Sequence, residues 1–327
     1  MNQLPVQRAS ELSIDSAPLT HWLVQGLWSD QAVGILGGEP KCCKSFLALD
    51  LAVSVASGAP CLRRFAVQRT GPVLLFPAED SLAVVRRRLE GICSAAGVDF
   101  QSLPVEVITA PTLRLDAPKD RERLSNTVQA RQPHLLILDP LIRLHRVDEN
   151  DASQIAGLLS YLRQLQRTFQ IAVLVVHHAR KDANATRPGQ ALRGSSELHG
   201  WGDSNLYMRR RGAQLTLSTE HRAAPSQDHI PLQLTQAGSA LALSVASDSS
   251  IPEPGSEPSA LQRVQQILAG LEQSVTVQQL RKLCSLRTTT VCSCLAQLAQ
   301  TGVVTHDSRG YQLNRASPSP AVSLPRL

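Results

Sequence analysis

The chain has 327 residues, of which 43% are hydrophobic and 18% are charged. This composition excludes a wholly disordered chain, and the length gives room for two folded domains or for one large domain with an appendage. The net charge of +6 is unevenly placed, since residues 1–258 hold 26 basic and 25 acidic residues whereas residues 259–327 hold 7 and 2. The basic excess of the last fifth indicates a near-neutral, enzyme-like body joined to a small module that meets an anionic partner such as nucleic acid.

Other compositional features narrow the class of protein further. The apolar runs are far shorter than the roughly 18 residues of a membrane-spanning helix, and the N-terminal residues lack the apolar stretch of a signal peptide, so we expect a cytoplasmic protein without a membrane partner. Seven scattered cysteines, an odd number, favour free thiols over a disulfide framework. Aromatic residues are 3% of the chain, which argues against a surface that stacks single-stranded bases.

The first two-thirds of the chain alternates short apolar runs with amphipathic stretches, which is typical of an α/β domain with a mainly parallel sheet. Strands buried on both faces are predicted at 32–36, 73–76, 105–109, 135–138 and 171–176. Helices are predicted at 45–57, 81–96, 119–130 and 154–169. Residues 205–243 turn to period-two alternation and predict antiparallel strands that close the sheet.

Domain boundaries follow from composition. Residues 1–246 form one predicted domain, and residues 247–259 (SDSSIPEPGSEPS) read as a linker because they can bury no apolar face. A second domain is predicted at 260–314, and the Pro/Ser-rich tail at 315–327 is predicted to be disordered.

A candidate phosphate-binding loop lies after the first of these strands. Residues 38–45 (GEPKCCKS) fit the pattern G-x-x-x-x-G-K-[ST], except that Cys43 stands where the second glycine belongs. Such a loop binds phosphate through backbone N–H groups at a helix N-terminus, a lysine and a Mg²⁺-binding hydroxyl. The alternative for the loop is an ordinary turn or a decayed site. The alternative for Lys41 is a solvated loop lysine that does not contact phosphate. The candidate nucleotide-binding residues are Gly38, Glu39, Pro40, Lys41, Cys42, Cys43, Lys44 and Ser45.

Two further strands end in carboxylates. Asp139 closes the predicted strand 135–138, which is the arrangement by which an aspartate holds Mg²⁺ beside the phosphate loop. Glu79 is the first acid after the strand 73–76, where a carboxylate could orient the attacking water, and Asp80 is predicted to cap the helix that follows. The alternatives are a turn residue for Asp139 and a second helix-capping acid for Glu79.

Adjacent histidines, His177 and His178, end the last strand of the predicted parallel sheet. In an extended chain their side chains point to opposite faces, so at most one should face the nucleotide. A paired-histidine zinc site is disfavoured because no further ligand lies at suitable spacing.

Taken in order, the segments GEPKCCKS, GPVLLFPAED, LLILDPLIRLHRVDEND, VLVVHHARK and LRGSSEL identify a family. Over about residues 18–211 the chain resembles the RecA-like ATPases of the plasmid replication helicase RepA family. The resemblance implies a RecA-like P-loop fold, a ring that is commonly a hexamer, ATP and Mg²⁺ at the subunit interfaces, and DNA in the centre. It implies that Lys44 and Ser45 bind phosphate and Mg²⁺, that Asp139 holds the metal, that Glu79 activates water and that His178 senses the γ-phosphate.

The chain departs from this family at two positions, Cys43 and the position of the arginine finger. In the family the arginine finger lies shortly after RGSS, and in an alignment without gaps this position is Asp203. An arginine finger stabilises charge that develops across a subunit interface, so another arginine would have to serve. The candidates are Arg193 and the run Arg209 to Arg211, with Arg209 as its first member; a solvated strand end is the alternative reading of that run.

Two regions are predicted to contact DNA. Residues 179–194 (ARKDANATRPGQALRG) carry four basic residues just after the histidines, and they resemble the DNA-contacting loop of RecA-like motors; a plain surface loop is the alternative. Residues 260–314 look like a winged helix, with helices at 260–271, 276–284 and 288–301 and a hairpin at 303–313. The third helix, preceded by Arg287, would enter the major groove and Arg309 would lie at the wing tip. A partner-binding or self-association role is the alternative.

These features together predict a Mg²⁺- and ATP-dependent RecA-like DNA motor, a ring helicase or loader of a plasmid or other mobile element. The alternatives are an ATP-switched DNA-binding regulator that unwinds nothing, and an adaptor with a dead nucleotide site.

Overall fold

A computed structural model describes residues 6–11, 22–149, 151–178, 196–237, 240–246, 260–271, 273–284, 288–307 and 310–314. The chain divides into two compact units, Met1–Ala246 and Ser247–Leu327. All seven cysteines are free thiols. In the described part of the chain, no helix combines the length and apolarity that crossing a membrane requires.

The first unit is built from alternating strands and helices. Its strands are β1 (Trp22–Val24), β2 (Trp28–Ser29), β3 (Val33–Gly38), β4 (Val73–Pro77), β5 (Val105–Val107), β6 (Leu135–Asp139), β7 (Ala172–His178), β8 (Ser204–Arg211), β9 (Gln214–His221), β10 (Gln227–Ala237) and β11 (Ala240–Val245). Its helices are α1 (Lys44–Ser57), α2 (Leu82–Ala96), α3 (Pro118–Arg131), α4 (Ala152–Phe169) and α5 (Ser196–Trp201).

Nine of these strands form one sheet in the order β11-β10-β9-β8-β3-β7-β6-β4-β5. From β8 to β5 all neighbours are parallel, and β8 to β11 pair antiparallel. The predicted mixed α/β fold with a mainly parallel sheet is therefore confirmed, as are the antiparallel strands that extend it. The strand β3 lies between β7 and β8, so that the loop that follows β3 is flanked by the C-terminal ends of both.

Helices cover both faces of this sheet. The face that carries Leu36 packs against α1 and α2, and the face that carries Ile35 packs against α3 and α4. Because both faces are covered, the central strands are apolar without alternation, which is why their sequence predicts them well.

The predicted boundaries need small corrections. The strand β5 ends at Val107, two residues before the predicted end, whereas β3 and β7 continue to Gly38 and His178. The hairpin of β1 and β2 and the helix α5 were not predicted, because elements of two to six residues are too short to show a period.

The second unit consists of α6 (Ala260–Ala269), α7 (Val277–Cys284), α8 (Thr288–Gln300), β12 (Val304–Asp307) and β13 (Gly310–Leu313). The last two strands form the predicted antiparallel hairpin. An apolar stripe of α8, namely Val291, Cys294, Leu295 and Leu298, is buried in a core of its own with residues of α6 and α7.

Candidate nucleotide site

The loop between β3 and α1 is organised around the side chain of Lys44. This side chain is 5% exposed, and its ammonium donates hydrogen bonds of 2.8 Å to the carbonyl oxygens of both Gly38 and Glu39. Burial lowers the pKa of Lys44, and the nearby groups of Cys42, Asp139 and Glu79 partly oppose this effect. The lysine is therefore directed into the loop, where a phosphate group would meet it.

Cys43 occupies the backbone conformation that the motif reserves for glycine. It caps the N-terminus of α1 with φ 66° and ψ 26°, in the left-handed region. A glycine takes up this conformation without steric cost, whereas the Cβ of another residue meets the following carbonyl. The Sγ atom of Cys43 lies 3.2 Å from Nη2 of Arg210, a residue at the C-terminal end of β8.

Asp139 lies beside Ser45 at the end of β6. Burial raises the pKa of Asp139 to about 6, the charges of Asp80 and Glu79 add to this rise, and a hydrogen bond with Ser45 and the charge of Lys44 oppose it. A buried carboxylate in contact with a hydroxyl fits Mg²⁺, which takes one or two protein oxygens and completes its shell with phosphate and water. Ser45 and Asp139 are thus the residues that would hold the ion.

The acids after β4 have partners that the sequence did not indicate. Oε1 of Glu79 is 2.8 Å from Nε of Arg143, and this pair is partly exposed. Asp80 forms an ion pair with Arg88 of α2. The prediction that Asp80 caps α2 was wrong, since the N-cap is Ser81, whose hydroxyl accepts from the backbone N–H of Val84 at 3.4 Å. A serine one residue nearer the helix reaches the first-turn N–H groups better than the aspartate.

These side chains converge on one cavity of about 280 Å³ at the C-terminal edge of the parallel strands. Its lining includes Lys44, Ser45, Glu79, Asp139 and His178. The structure therefore brings together the residues predicted for phosphate, metal, water and γ-phosphate contacts, which lie at the start of α1, after β4 and at the ends of β6 and β7. His177 projects to the opposite face and is 1% exposed, in agreement with the expected alternation.

The arginine-finger candidates have different positions. Arg193 and the predicted DNA loop 179–194 lie outside the described residues. Arg209 is partly buried on β8, opposite Thr216 of β9. Asp203 makes ion pairs with Arg163 and with Arg222 and accepts from the backbone N–H of Val33. The carboxylate at the finger position thus ties α4 to the sheet.

Arg88 and Phe46 are residues at the site that sequence reasoning missed, whereas Arg210 belongs to the predicted run Arg209 to Arg211. The guanidinium of Arg88 lies 4.9 Å from the ring centroid of Phe46, and both side chains line the cavity. Arg210 shares the sheet face of Leu206 and Met208, which carries α1. The period-two pattern of β8 could have assigned Arg210 to a face, but the pairing of β8 with β3 had no signal in the sequence.

The helix α8 carries no charged side chain. Among its described residues, Thr288, Thr289 and Ser293 are exposed, while the basic residues Arg281 and Lys282 lie in the last turn of α7. Arg287 and Arg309, both predicted to contact DNA, lie outside the described residues.

Comparison with known proteins finds one family and several similar structures. Residues 5–184, more than half of the chain, match AAA_25, a family of AAA domains. The ATPase domain of G40P is 14% identical, with a TM-score of 0.50 over 65% of this chain and 85% of that chain. The RadB recombinase is 15% identical over 67% and 92% of the two chains, with a TM-score of 0.49. A KaiC-like protein of Pyrococcus horikoshii OT3 is 14% identical over 69% and 94%, with a TM-score of 0.48. The chain belongs to the AAA_25 family of AAA domains, and its first unit has a RecA-like P-loop fold.

Proposed function

We propose that this chain is an ATP-hydrolysing DNA motor that forms a ring, commonly a hexamer, and serves as a helicase or helicase-like ATPase of a plasmid or other mobile element. The observation that carries the proposal is the convergence of Lys44, Ser45, Glu79, Asp139 and His178 on one cavity. In a decayed site these five groups would not be expected to line the same cavity.

The chemistry assigned to each group follows from its position. Lys44 neutralises the β- and γ-phosphate oxygens from inside the loop. Glu79, held by Arg143, accepts the hydrogen bond of the attacking water and orients it. His178 donates to the γ-phosphate from the end of β7. Ser45 and Asp139 would hold Mg²⁺, which would supply neutralisation of the phosphate charge.

An ATP-switched DNA-binding regulator is the second candidate. Two observations favour it. Cys43 in the phosphate loop has a left-handed backbone conformation, and Asp203, at the position where the ATPases of the RepA family have their arginine finger, forms an ion pair with Arg163. In this reading ATP binding controls assembly, and hydrolysis is slow because no cation enters from the neighbouring subunit.

ATP hydrolysis with and without DNA separates these functions. We expect DNA-stimulated turnover by the wild type, and losses of about 100-fold or more in Lys44→Ala and Glu79→Gln, because each removes a group that acts on the transition state. Glu79→Gln should still bind ATP, whereas Lys44→Ala should bind it weakly. The matched control is Glu106→Gln, which should hydrolyse ATP normally. Glu106 lies on β5 and pairs with Arg131 at the end of α3.

ATP binding by the wild type without hydrolysis would contradict the motor. If turnover is found, a strand-displacement assay on a forked duplex distinguishes the motor from the switch, because only the motor separates the strands.

A further inference from the structure

The segment that follows Asp139 includes residues 143–149 (RLHRVDE), and part of it forms a buried polar cluster. Nε2 of His145 lies 3.7 Å from Oε1 of Glu149, and Nδ1 of His177 lies 3.9 Å from the same oxygen. The side chains of the two histidines are 0% and 1% exposed, and that of Glu149 is 14% exposed. We call these three residues the His–Glu–His cluster.

Such a cluster is unusual in an apolar layer. It lies on the sheet face that carries α3 and α4, where Leu144, Ile155 and Val175 are buried. A carboxylate held there loses part of its hydration and depends on the polar groups around it, which here include the two imidazoles. Within the described residues neither ring nitrogen of His145 has a hydrogen-bond partner, so the carboxylate of Glu149 is the charge that faces this ring.

The cluster also joins two segments that border the nucleotide cavity. Arg114 donates from Nη1 to the carbonyl oxygens of Arg143, at 2.7 Å, and of His145, at 3.3 Å, which fixes the backbone after β6. Glu149 reaches from this fixed segment to His177 on β7. The backbone of His177 pairs in register with Gly37, and that of His178 with Gly38, the first residue of the phosphate loop.

Because His177 and His178 are neighbours at the end of one strand, a contact that anchors the side chain of His177 also stabilises the strand end from which His178 reaches the cavity. His178 lines the nucleotide cavity, whereas His177 faces the cluster on the opposite side. We propose that Glu149, together with His145 and His177, is a positioning residue that holds His178 at the γ-phosphate. This inference rests on the proposed function, in that His178 is taken to contact the γ-phosphate.

The test is a comparison of binding affinities, because it requires no hydrolysis. The affinities for ATPγS and for ADP are measured by equilibrium titration of the wild type, Glu149→Gln and Glu149→Asp. In Glu149→Gln we expect the preference for ATPγS over ADP to fall by about tenfold, which is within the range by which residues that act through others change coupling between sites. The ADP affinity should stay within about twofold of the wild type, because the phosphate loop is untouched. Glu149→Asp keeps the charge and should restore part of the preference.

A second readout is the split between kcat and KM. We expect Glu149→Gln to lower kcat while KM for ATP changes little, since the group that is displaced acts on the γ-phosphate and not on the rest of the nucleotide. The control is Glu106→Gln, the same chemical change in an exposed pair on β5, and it should alter neither readout.

Each remaining outcome overturns the inference. An unchanged ATPγS preference in Glu149→Gln would show that His178 needs no such support. A parallel fall of both affinities with a lower Tm would show a merely structural role, as would the failure of both Glu149→Gln and His145→Gln to fold. A wild type that does not distinguish ATPγS from ADP would also overturn the γ-phosphate role of His178 in the proposed function. If the wild type does distinguish them and Glu149→Gln keeps the same preference, only the positioning role of the cluster is overturned.

Discussion

At the scale of single residues, Cys43 sets the most specific expectation. A left-handed conformation costs a residue with a Cβ about 1–2 kcal/mol, and replacing it by glycine costs about 0.4–1 kcal/mol through the greater freedom of the unfolded chain. The first term is the larger, so Cys43→Gly should leave the free energy of unfolding equal or slightly higher. It should also leave ATP turnover equal or faster, because the glycine backbone approaches phosphate more closely.

The control for this prediction is Cys43→Ala. It keeps the strained conformation at φ 66° and removes only the thiol that contacts Arg210. Thermal melts and steady-state ATP hydrolysis are measured for both variants. A large loss of turnover in both would show that the contact between the thiol and Arg210 is needed, and that this loop has been refitted around cysteine.

At the scale of elements, the close approach of β3 and β8 depends on Gly34. A Cβ on Gly34 would lie 1.7 Å from the carbonyl oxygen of Ser204, the first residue of β8. Ser204 is buried, and its hydroxyl accepts a hydrogen bond of 3.1 Å from the backbone N–H of Ser29. A shift of Ser204 away from the new Cβ would therefore disrupt packing and this hydrogen bond. We expect Gly34→Ala to destabilise the first unit by about 3 kcal/mol or more, as an overpacked core with a displaced backbone.

The matched control is Gly157→Ala in α4, where a Cβ meets no heavy atom within 4 Å. The same chemical change should there stabilise the helix by up to about 1 kcal/mol, because alanine has the higher helix propensity. The free energies of unfolding of both variants are compared by denaturant titration. Equal effects in the two variants would contradict the close approach of β3 and β8.

The same elements show what the sequence could predict. Lys44, Glu79, Asp139 and His178 each follow or end a strand that is apolar throughout, so local pattern and side-chain chemistry were sufficient to find them. The contact of Arg143 with Glu79 joins residues 64 positions apart, and that of Arg210 with Cys43 joins residues 167 positions apart. Contacts between residues far apart in the sequence depend on strand order and on the course of the loops. No short-range pattern in a single sequence predicts these.

At the scale of the whole molecule, the division at residue 246 redistributes the charge. Residues 247–258 contain three acids and no base, so the first unit carries 26 basic and 22 acidic residues and the second carries 7 and 5. The first unit is therefore more basic than the composition first indicated. DNA affinity, where present, should be shared between the two units.

Removal of the second unit tests this sharing. The fragment of residues 1–246 should fold, because its two apolar cores contain residues of that unit alone. We expect it to bind ATP like the full chain, to bind duplex DNA more weakly and to show a shallower salt dependence, since each lost phosphate contact lowers the slope of log K against log salt by about 0.9. Fluorescence anisotropy at several salt concentrations measures both quantities.

Arg281→Ala combined with Lys282→Ala in the full chain gives the finer version of this experiment, because both lie in the last turn of α7. If α6, α7, α8 and their hairpin act as a winged helix on DNA, this variant should reproduce part of the change in slope while leaving ATP binding intact. Unchanged DNA affinity and slope in both the fragment and the double variant would reject DNA binding by the second unit. A fragment that also sediments as an assembly of fewer subunits than the full chain would then assign the second unit to self-association.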